Sequence, residues 1–224
     1  NGYSTSASNT GAGTAEGSTF TMTIAKEATT VTAYHNWKKD VTVTGTFDKN
    51  GGTADTSASG TTTIYNGATS VTVSITTPAY TTNTSWTCLG YNTSSTATTA
   101  SKTNGVSISI TATVASGSST ATIATGYYHI WSKTLVVTFD KNGGTANTTA
   151  SGTIYNNATS ISVTAPTATT FSGWTFNGYS TSASNTGAGT AVGGTFTMTI
   201  AKEATTATAY HNWKKDVTVT GTFD

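Results

Sequence analysis

Histidine is the residue type in this chain best suited to acid–base or metal chemistry, and its three copies occupy one repeated position. His35, His129 and His211 each follow a tyrosine and stand two residues before a tryptophan. A metal site or a catalytic base would need further ligands or a nucleophile close to each copy. No Cys or carboxylate stands at ligand spacing from them, and nothing marks one Ser or Thr as a nucleophile. We therefore interpret the histidines as structural and predict no enzyme activity, no metal site and no cofactor.

A second candidate for chemistry is the acidic stretch Asp48-Lys-Asn-Gly-Gly-Thr-Ala-Asp55, which faintly resembles a calcium loop. A calcium loop of the EF-hand type needs oxygen ligands at alternating positions and a distant bidentate Glu, which this stretch does not have. Its second copy also replaces Asp55 with Asn147. An Asn-Gly step tolerates the positive φ that tight hairpins require, so the stretch predicts a hairpin turn.

Three covalent possibilities carry less weight. Cys88 is the only cysteine, so no internal disulfide can form, and we expect a buried apolar thiol. Isopeptide cross-links would need paired Lys and Asn or Glu, and only the neighbouring Lys26 and Glu27, repeated later in the chain, hint at them. Glycosylation stays open at four Asn-x-Ser/Thr sequences, which are Asn83, Asn92, Asn147 and Asn157.

Composition restricts the class of protein. Only 8% of residues are charged against about 25% in an average protein, Arg and Gln are absent, and Thr makes up roughly a quarter of the chain. A net charge of +1 gives no basic surface for nucleic acid or anionic lipid. No apolar run approaches the roughly 18 residues that span a bilayer, so we expect neither nucleic-acid binding nor membrane insertion.

Alternating apolar and polar residues predict β-strands through most of the chain. Phe20, Met22 and Ile24 alternate with threonines, and Val31–Trp37 and Val106–Val114 show the same period of two. No helical period persists for three turns. The fold should be nearly all β with little helix, apart from a short helical turn expected between Tyr155 and Pro166.

The chain is built from repeats. Phe47–Ala54 reappears as Phe139–Ala146 after 92 residues and begins again at Phe223 after a further 84, and residues 1–48 match 177–224 at 45 of 48 positions. Such periods indicate a tandem array. We predict the following units: residues 1–40, the back half of a short unit; 41–134, a long unit; 135–216, a short unit; and 217–224, the first strand of another long unit, so that the array would continue.

Four blocks recur in a constant order within each unit: a V-x-V/T-x-F-D-x-N-G-G strand and turn, a proline, Trp174-Thr-Phe-Asn-Gly-Tyr179 or its counterpart, and a closing Tyr-His-x-Trp. This order resembles the internalin B-repeat family, also called the Listeria-Bacteroides repeat. The units here are longer than those of the family and much richer in Thr. The resemblance implies small β-grasp-like or β-sandwich-like domains in tandem on a bacterial cell surface.

We therefore expect a non-catalytic structural segment of an extracellular stalk, fibre or adhesin shaft. Its partners would be neighbouring repeats of the same chain, like chains in a filament, or a host glycan or protein. A Thr-rich module that binds ice or glycans is the alternative. The residues that should carry this role are core aromatics: Phe47, Trp86, Tyr91, Trp131, Phe139, Trp174, Tyr179 and Trp213.

Overall fold

The structure is a computed structural model that describes residues 1–222, so Phe223 and Asp224 of the last predicted strand lie outside it. Strands make up 46% of the chain and no helix occurs among residues 1–222, which confirms the mainly β class. The strands are β1 (Tyr3–Ser4), β2 (Tyr34–His35), β3 (Lys38–Asp48), β4 (Thr56–Tyr65), β5 (Ser70–Thr76), β6 (Thr87–Asn92), β7 (Ser107–Thr113), β8 (Thr120–Asp140), β9 (Thr148–Tyr155), β10 (Ser160–Thr164), β11 (Thr175–Ser180), β12 (Thr195–Thr199) and β13 (Thr206–Lys214).

The chain divides into two compact units that do not follow the repeat boundaries. Unit 1 comprises residues 1–81, 90–94 and 100–129, and unit 2 comprises residues 82–89, 95–99 and the chain from Ile130 onward. Two short stretches of the long repeat therefore pack with the short repeat. β8 is one continuous strand of 21 residues whose first part belongs to unit 1 and whose second part belongs to unit 2.

Unit 1 is a two-layer β structure. In the first layer, β3 pairs antiparallel with β4 and parallel with residues 120–128 of β8. In the second layer, β5 pairs antiparallel with β7. Because successive side chains of a strand point to opposite faces, Val41, Val43 and Phe47 of β3 meet the apolar faces of β5 and β7 in a shared core.

Unit 2 repeats this arrangement with its own strands. Residues 132–140 of β8 pair antiparallel with β9 and parallel with β13, and β13 also pairs with β11. β10 and β12 form the second layer. Between the layers lie Leu135, Val137 and Phe139 with Ile161, Val163 and Phe196. The repeat read from the sequence is thus a repeat of strand order and pairing.

The predicted hairpin turns are confirmed. β3 and β4 are antiparallel neighbours, and the intervening Asn50 and Gly51 have φ of 43° and 91°. Asn142 and Gly143 repeat this turn between β8 and β9 with φ of 43° and 97°.

Four local predictions are wrong. The expected helical turn between Tyr155 and Pro166 is strand β10, because its apolar residues alternate and pair with β12. Residues 19–24 form no strand, residues 31–37 contribute only the two-residue β2, and residues 217–222 form no strand. In the complete units, the same sequences form strands by pairing with distant parts of the chain.

Candidate functional site

The histidines of the two complete repeats tie each hairpin turn to the last strand of its repeat. His129 and His211 are fully buried, and each Nδ1 lies 2.7 or 2.8 Å from the backbone carbonyl oxygen of Asp48 or Asp140. Asn50 and Asn142 return a hydrogen bond from Nδ2 to the histidine carbonyl at 2.8 and 2.9 Å. Burial lowers the pKa of His129, which favours a neutral ring. The role is structural.

The acidic residues of the turn have a structural role too. The Asp48 carboxylate accepts the backbone N–H of Asn50 at 2.6 Å, and Asp55 accepts that of Lys49 at 2.9 Å. Asn147 takes the place of Asp55 in the other repeat and accepts the N–H of Lys141 at 2.9 Å, since an amide oxygen serves as well. Within residues 1–222, no three His, Cys, Asp or Glu side chains are grouped so that they could hold a metal ion.

Two of the four candidate glycosylation sites contact each other. Asn83 is buried, and its Nδ2 donates to Oδ1 of Asn157 at 3.2 Å. A glycan on Asn83 would require this residue to leave the folded core.

The eight aromatic residues predicted for the core fall into three groups. Six are buried: Phe47, Trp86, Tyr91, Trp131, Phe139 and Tyr179. Trp213 is half-buried, and its Nε1–H donates to the carbonyl of Lys141 at 3.0 Å. Trp174 is 42% exposed, so its assignment to the core is wrong. It stacks on Phe171, with ring centroids 5.3 Å apart.

Trp86 and Trp174 lie in equivalent turns of the two repeats, so the difference in their burial is informative. Each backbone N–H donates at 3.0 Å to the carbonyl three residues earlier, and each follows a residue with positive φ, Ser85 or Gly173. Trp86, however, is only 8% exposed and belongs to the core of unit 2. The burial of Trp86 therefore comes mainly from the next repeat along the chain, together with Trp131 at the end of its own repeat.

The site that receives Trp86 lies where the long repeat ends and the short repeat begins, and we call it the filled socket. Trp131, Ile154 and Ile200 share its core cluster with Trp86, and Cys88 packs half-buried against the same cluster. The Lys133 ammonium lies 5.5 Å from the centroid of the Trp86 ring, within cation–π range. In the filled socket, a loop of one repeat completes the core of the next.

Unit 1 contains an equivalent site, which we call the open socket. It is a cavity of about 350 Å³ lined by Trp37, Lys39, Ile64 and Val114 among others. Trp37 is 66% exposed there, whereas its counterpart Trp131 in the filled socket is 1% exposed. The open socket holds no side chain equivalent to Trp86 among residues 1–222.

Hydrogen bonds show that the two sockets correspond. The Trp37 N–H donates to Asn66 Oδ1 at 2.9 Å, and the Trp131 N–H donates to Asn156 Oδ1 at 3.0 Å. The Nδ2 of Asn66 donates to the carbonyl of Ala7 at 3.0 Å, in the loop that follows Tyr3. The Nδ2 of Asn156 donates to the carbonyl of Ala97 at 2.6 Å, in the equivalent loop that follows Tyr91.

Sequence reasoning predicted Trp86 and Trp131 as core residues but missed Asn66, Asn156 and Lys133 as parts of a junction between repeats. The signal was present in two aligned pairs, Trp37-Lys-Lys39 with Trp131-Ser-Lys133, and Tyr65-Asn-Gly-Ala68 with Tyr155-Asn-Asn-Ala158. The first pair closes a repeat, and the second pair lies in the repeat that follows. Only the structure shows that both lie beside a loop of the repeat that closes there, Ala7 in one case and Ala97 in the other.

No protein-family model, curated protein or solved structure matches this chain. Among residues 1–222 there is also no helix that could cross a bilayer.

Proposed function

We propose that this chain is a non-catalytic structural segment of an extracellular stalk, fibre or adhesin shaft on a bacterial surface. The observation that carries the proposal is the filled socket, in which Trp86 of one repeat is buried in the core of the next. Repeats joined in this way are linked to their neighbours by apolar contacts as well as by the covalent chain. Such nearest-neighbour coupling is what stabilises tandem arrays.

Two further features support a structural role. β8 runs without interruption from the last strand of the long repeat into the first strand of the short repeat. The outer faces carry hydroxyl groups that bond to one another across strands, as Thr44 does with Ser59 at 2.8 Å. Paired hydroxyls suit a solvated surface with few charges. The resemblance to internalin B repeats supports the placement on a cell surface.

The test is to locate the protein on intact cells of its source. Antibodies raised against the 224-residue chain should label unpermeabilised cells, and protease added outside should remove the label. Labelling that requires permeabilised cells would contradict the proposal.

A second function, adhesion to ice or glycans, is favoured by one observation. The outer face of the β5–β7 pair presents an unbroken set of exposed hydroxyl residues: Ser70, Thr72, Ser74, Thr76, Ser107, Ser109, Thr111 and Thr113. Thermal hysteresis of the purified chain and a glycan-binding screen test it. The expected result for a purely structural stalk is no activity in either assay.

A further inference from the structure

The first and last strands of each complete repeat lie side by side and run in the same direction. In the long repeat, residues 42–48 of β3 pair in parallel with residues 120–128 of β8. In the short repeat, residues 136–140 of β8 pair in parallel with residues 206–210 of β13. We call these two parallel pairs the terminal pairs. The chain enters each repeat on one strand of a terminal pair and leaves it on the other.

The parallel direction places the entry and exit points at opposite ends of a terminal pair. The chain enters at the N-terminal end of one strand and leaves at the C-terminal end of the other. Tension between these two points slides the strands past each other along their own axis. The evenly spaced hydrogen bonds of a parallel ladder then carry the load together and must break together. In an antiparallel hairpin that is pulled apart at its open end, the bonds break one after another.

Each terminal pair is enclosed within its sheet. In the long repeat, β3 also pairs with β4 and β8 with β6, and in the short repeat β8 also pairs with β9 and β13 with β11. The core face of the short terminal pair carries Val137, Phe139 and Ala209, all fully buried. Hydrogen bonds in such an environment are stronger than bonds exposed to water, because the local dielectric constant is low.

Side-chain hydrogen bonds join the same two strands. In the long repeat, Thr125 Oγ1 donates to the carbonyl of Thr46 at 2.8 Å. In the short repeat, His211 on β13 bonds to the carbonyl of Asp140 at the end of the first strand, and Asn142 donates to the carbonyl of His211 at 2.9 Å. Sliding β13 along β8 would have to break both of these bonds as well as the ladder.

β8 joins the two terminal pairs without a linker. Residues 120–128 belong to the long terminal pair and residues 136–140 to the short one. All 21 residues of β8 are in strand conformation, so no loop that could extend lies between the pairs. Tension that leaves the long repeat therefore enters the short repeat on the same strand.

We propose that the terminal pairs are mechanical clamps, which make each repeat resist unfolding when the chain is pulled along its length. The load passes from β3 to β8 and from β8 to β13 through the two parallel ladders. The proposal rests on the stalk function for its biological use, because a surface stalk is under tension whenever its tip is held. The clamp itself is a property of the fold and can be measured on the purified chain.

The test compares two pulling directions in the short repeat of the full chain. Both test chains carry Cys88→Ala, which removes the only native thiol. One chain carries Thr134→Cys and Lys214→Cys, which load the terminal pair in shear. The other carries Thr134→Cys and Thr153→Cys, which pull the β8–β9 hairpin apart at its open end, because Thr134 lies opposite Thr153. All three attachment positions are exposed.

Single-molecule force spectroscopy should show a higher unfolding force in shear than across the hairpin. At constant force, the lifetime in shear should be about tenfold longer or more, because several hydrogen bonds break in one step. Forced unfolding reports the rate of unfolding, so the two directions can differ in chains of equal equilibrium stability. Equal lifetimes, or a shorter lifetime in shear, would overturn the proposal.

A substitution beside the clamp gives a second test. Asn142→Gly removes the side-chain bonds to the carbonyls of His211 and Ala183 and keeps the turn, since glycine readily adopts the positive φ of this position. Unfolding in shear at constant force should become about tenfold faster. Unfolding across the hairpin should keep its rate, because the first bonds to break there lie at the other end of β8 and β9.

Asn157→Gly is the matched control for this substitution. Asn157 also has a positive φ, but its side chain accepts a hydrogen bond from Asn83 and takes no part in the terminal pair. Its substitution should leave the rate in shear unchanged. Equal acceleration by the two variants, or acceleration by Asn142→Gly in both directions, would overturn the load-bearing role of the Asn142 bonds.

The clamp and the stalk function can fail separately. Equal lifetimes in the two pulling directions would leave the labelling of intact cells unaffected. A label that requires permeabilised cells would leave the difference between the pulling directions intact.

Discussion

Residues 177–216 form most of β11 together with β12 and β13 and bury Phe196 and Ala209. Residues 1–40 differ from them at only three positions, yet they form two strands of two residues each and the first three residues of β3. The two regions share their local loops. Tyr3 and Thr14 exchange two backbone hydrogen bonds of 2.9 Å, and Tyr179 and Thr190 do the same at 2.8 and 2.9 Å.

The two regions differ in every strand that pairs with a distant part of the chain. The second layer of the short repeat requires β10, and the parallel ladder of β13 requires β8. Residues 217–222 show the same dependence on a partner. They repeat residues 41–46 of β3, but they form no strand and Val217 and Val219 are exposed. The local turns form from their own sequence alone, whereas these strands form only where a partner strand pairs with them.

The largest effect is expected from truncating a core side chain in the first strand of the short repeat. Phe139 is fully buried, with ring centroids 4.5 Å from Tyr179 and 5.2 Å from Phe196. Phe139→Ala should lower the free energy of unfolding of unit 2 by about 3 to 5 kcal/mol. Denaturant unfolding measures the loss, and residues 195–214 should then exchange amide hydrogens as residues 19–37 do. Val136→Ala, at a partly exposed site on the same strand, should cost under about 1 kcal/mol.

The second prediction compares the two equivalent tryptophans. Trp86→Ala should cost about 3 kcal/mol because it empties the filled socket. Trp174→Ala should cost about 1 kcal/mol, since it loses only the stacking on an exposed site. Both losses can be measured by thermal or denaturant unfolding, and equal losses would contradict the difference in burial. Trp86→Phe is the milder control, because the buried Trp86 Nε1 has no hydrogen-bond partner to lose.

The third prediction concerns the shared loop. Gly178 has φ of 99°, and an added Cβ would lie 2.4 Å from the backbone of Gly189. Gly178→Ala should therefore destabilise unit 2 by about 2 kcal/mol or more. Gly2→Ala creates the same clash with Thr14 but should leave the unfolding midpoint unchanged, because residues 1–40 contribute little to either core. A fall in the midpoint for Gly2→Ala would show that the loop stabilises unit 1.

The smallest effect is expected from pH. Burial holds the pKa of His129 below its ordinary value of 6.5, so the unfolded chain binds a proton more readily than the folded chain. His129 should make its full contribution to the free energy of unfolding above pH 6.5. This contribution should decrease as the pH falls toward the lower pKa of the folded state. His129→Gln should reduce this slope between about pH 5.5 and 7.5.

Much of the fold could be predicted from alternation and repetition. The strands near Val41–Phe47 and Val106–Val114 and the Asn-Gly turns depend on short-range patterns, and they form where expected. The burial of Trp86 and the exposure of Trp174 could not be predicted, because both lie in nearly the same local sequence. Trp86 lies in the core cluster of unit 2, whereas Trp174 stacks on Phe171 at the surface.

The sequence by itself determined the mainly β class, the repeat, the turns at Asn50 and Asn142 and the faces that each strand can bury, since these follow from residue size, β-branching and backbone freedom. The tertiary structure decided which copies of the repeated sequence become strands and which tryptophans become core. The physical reason is that a strand edge and an apolar face are stabilised only by what lies against them, so one sequence has two structures when only one copy has its partner.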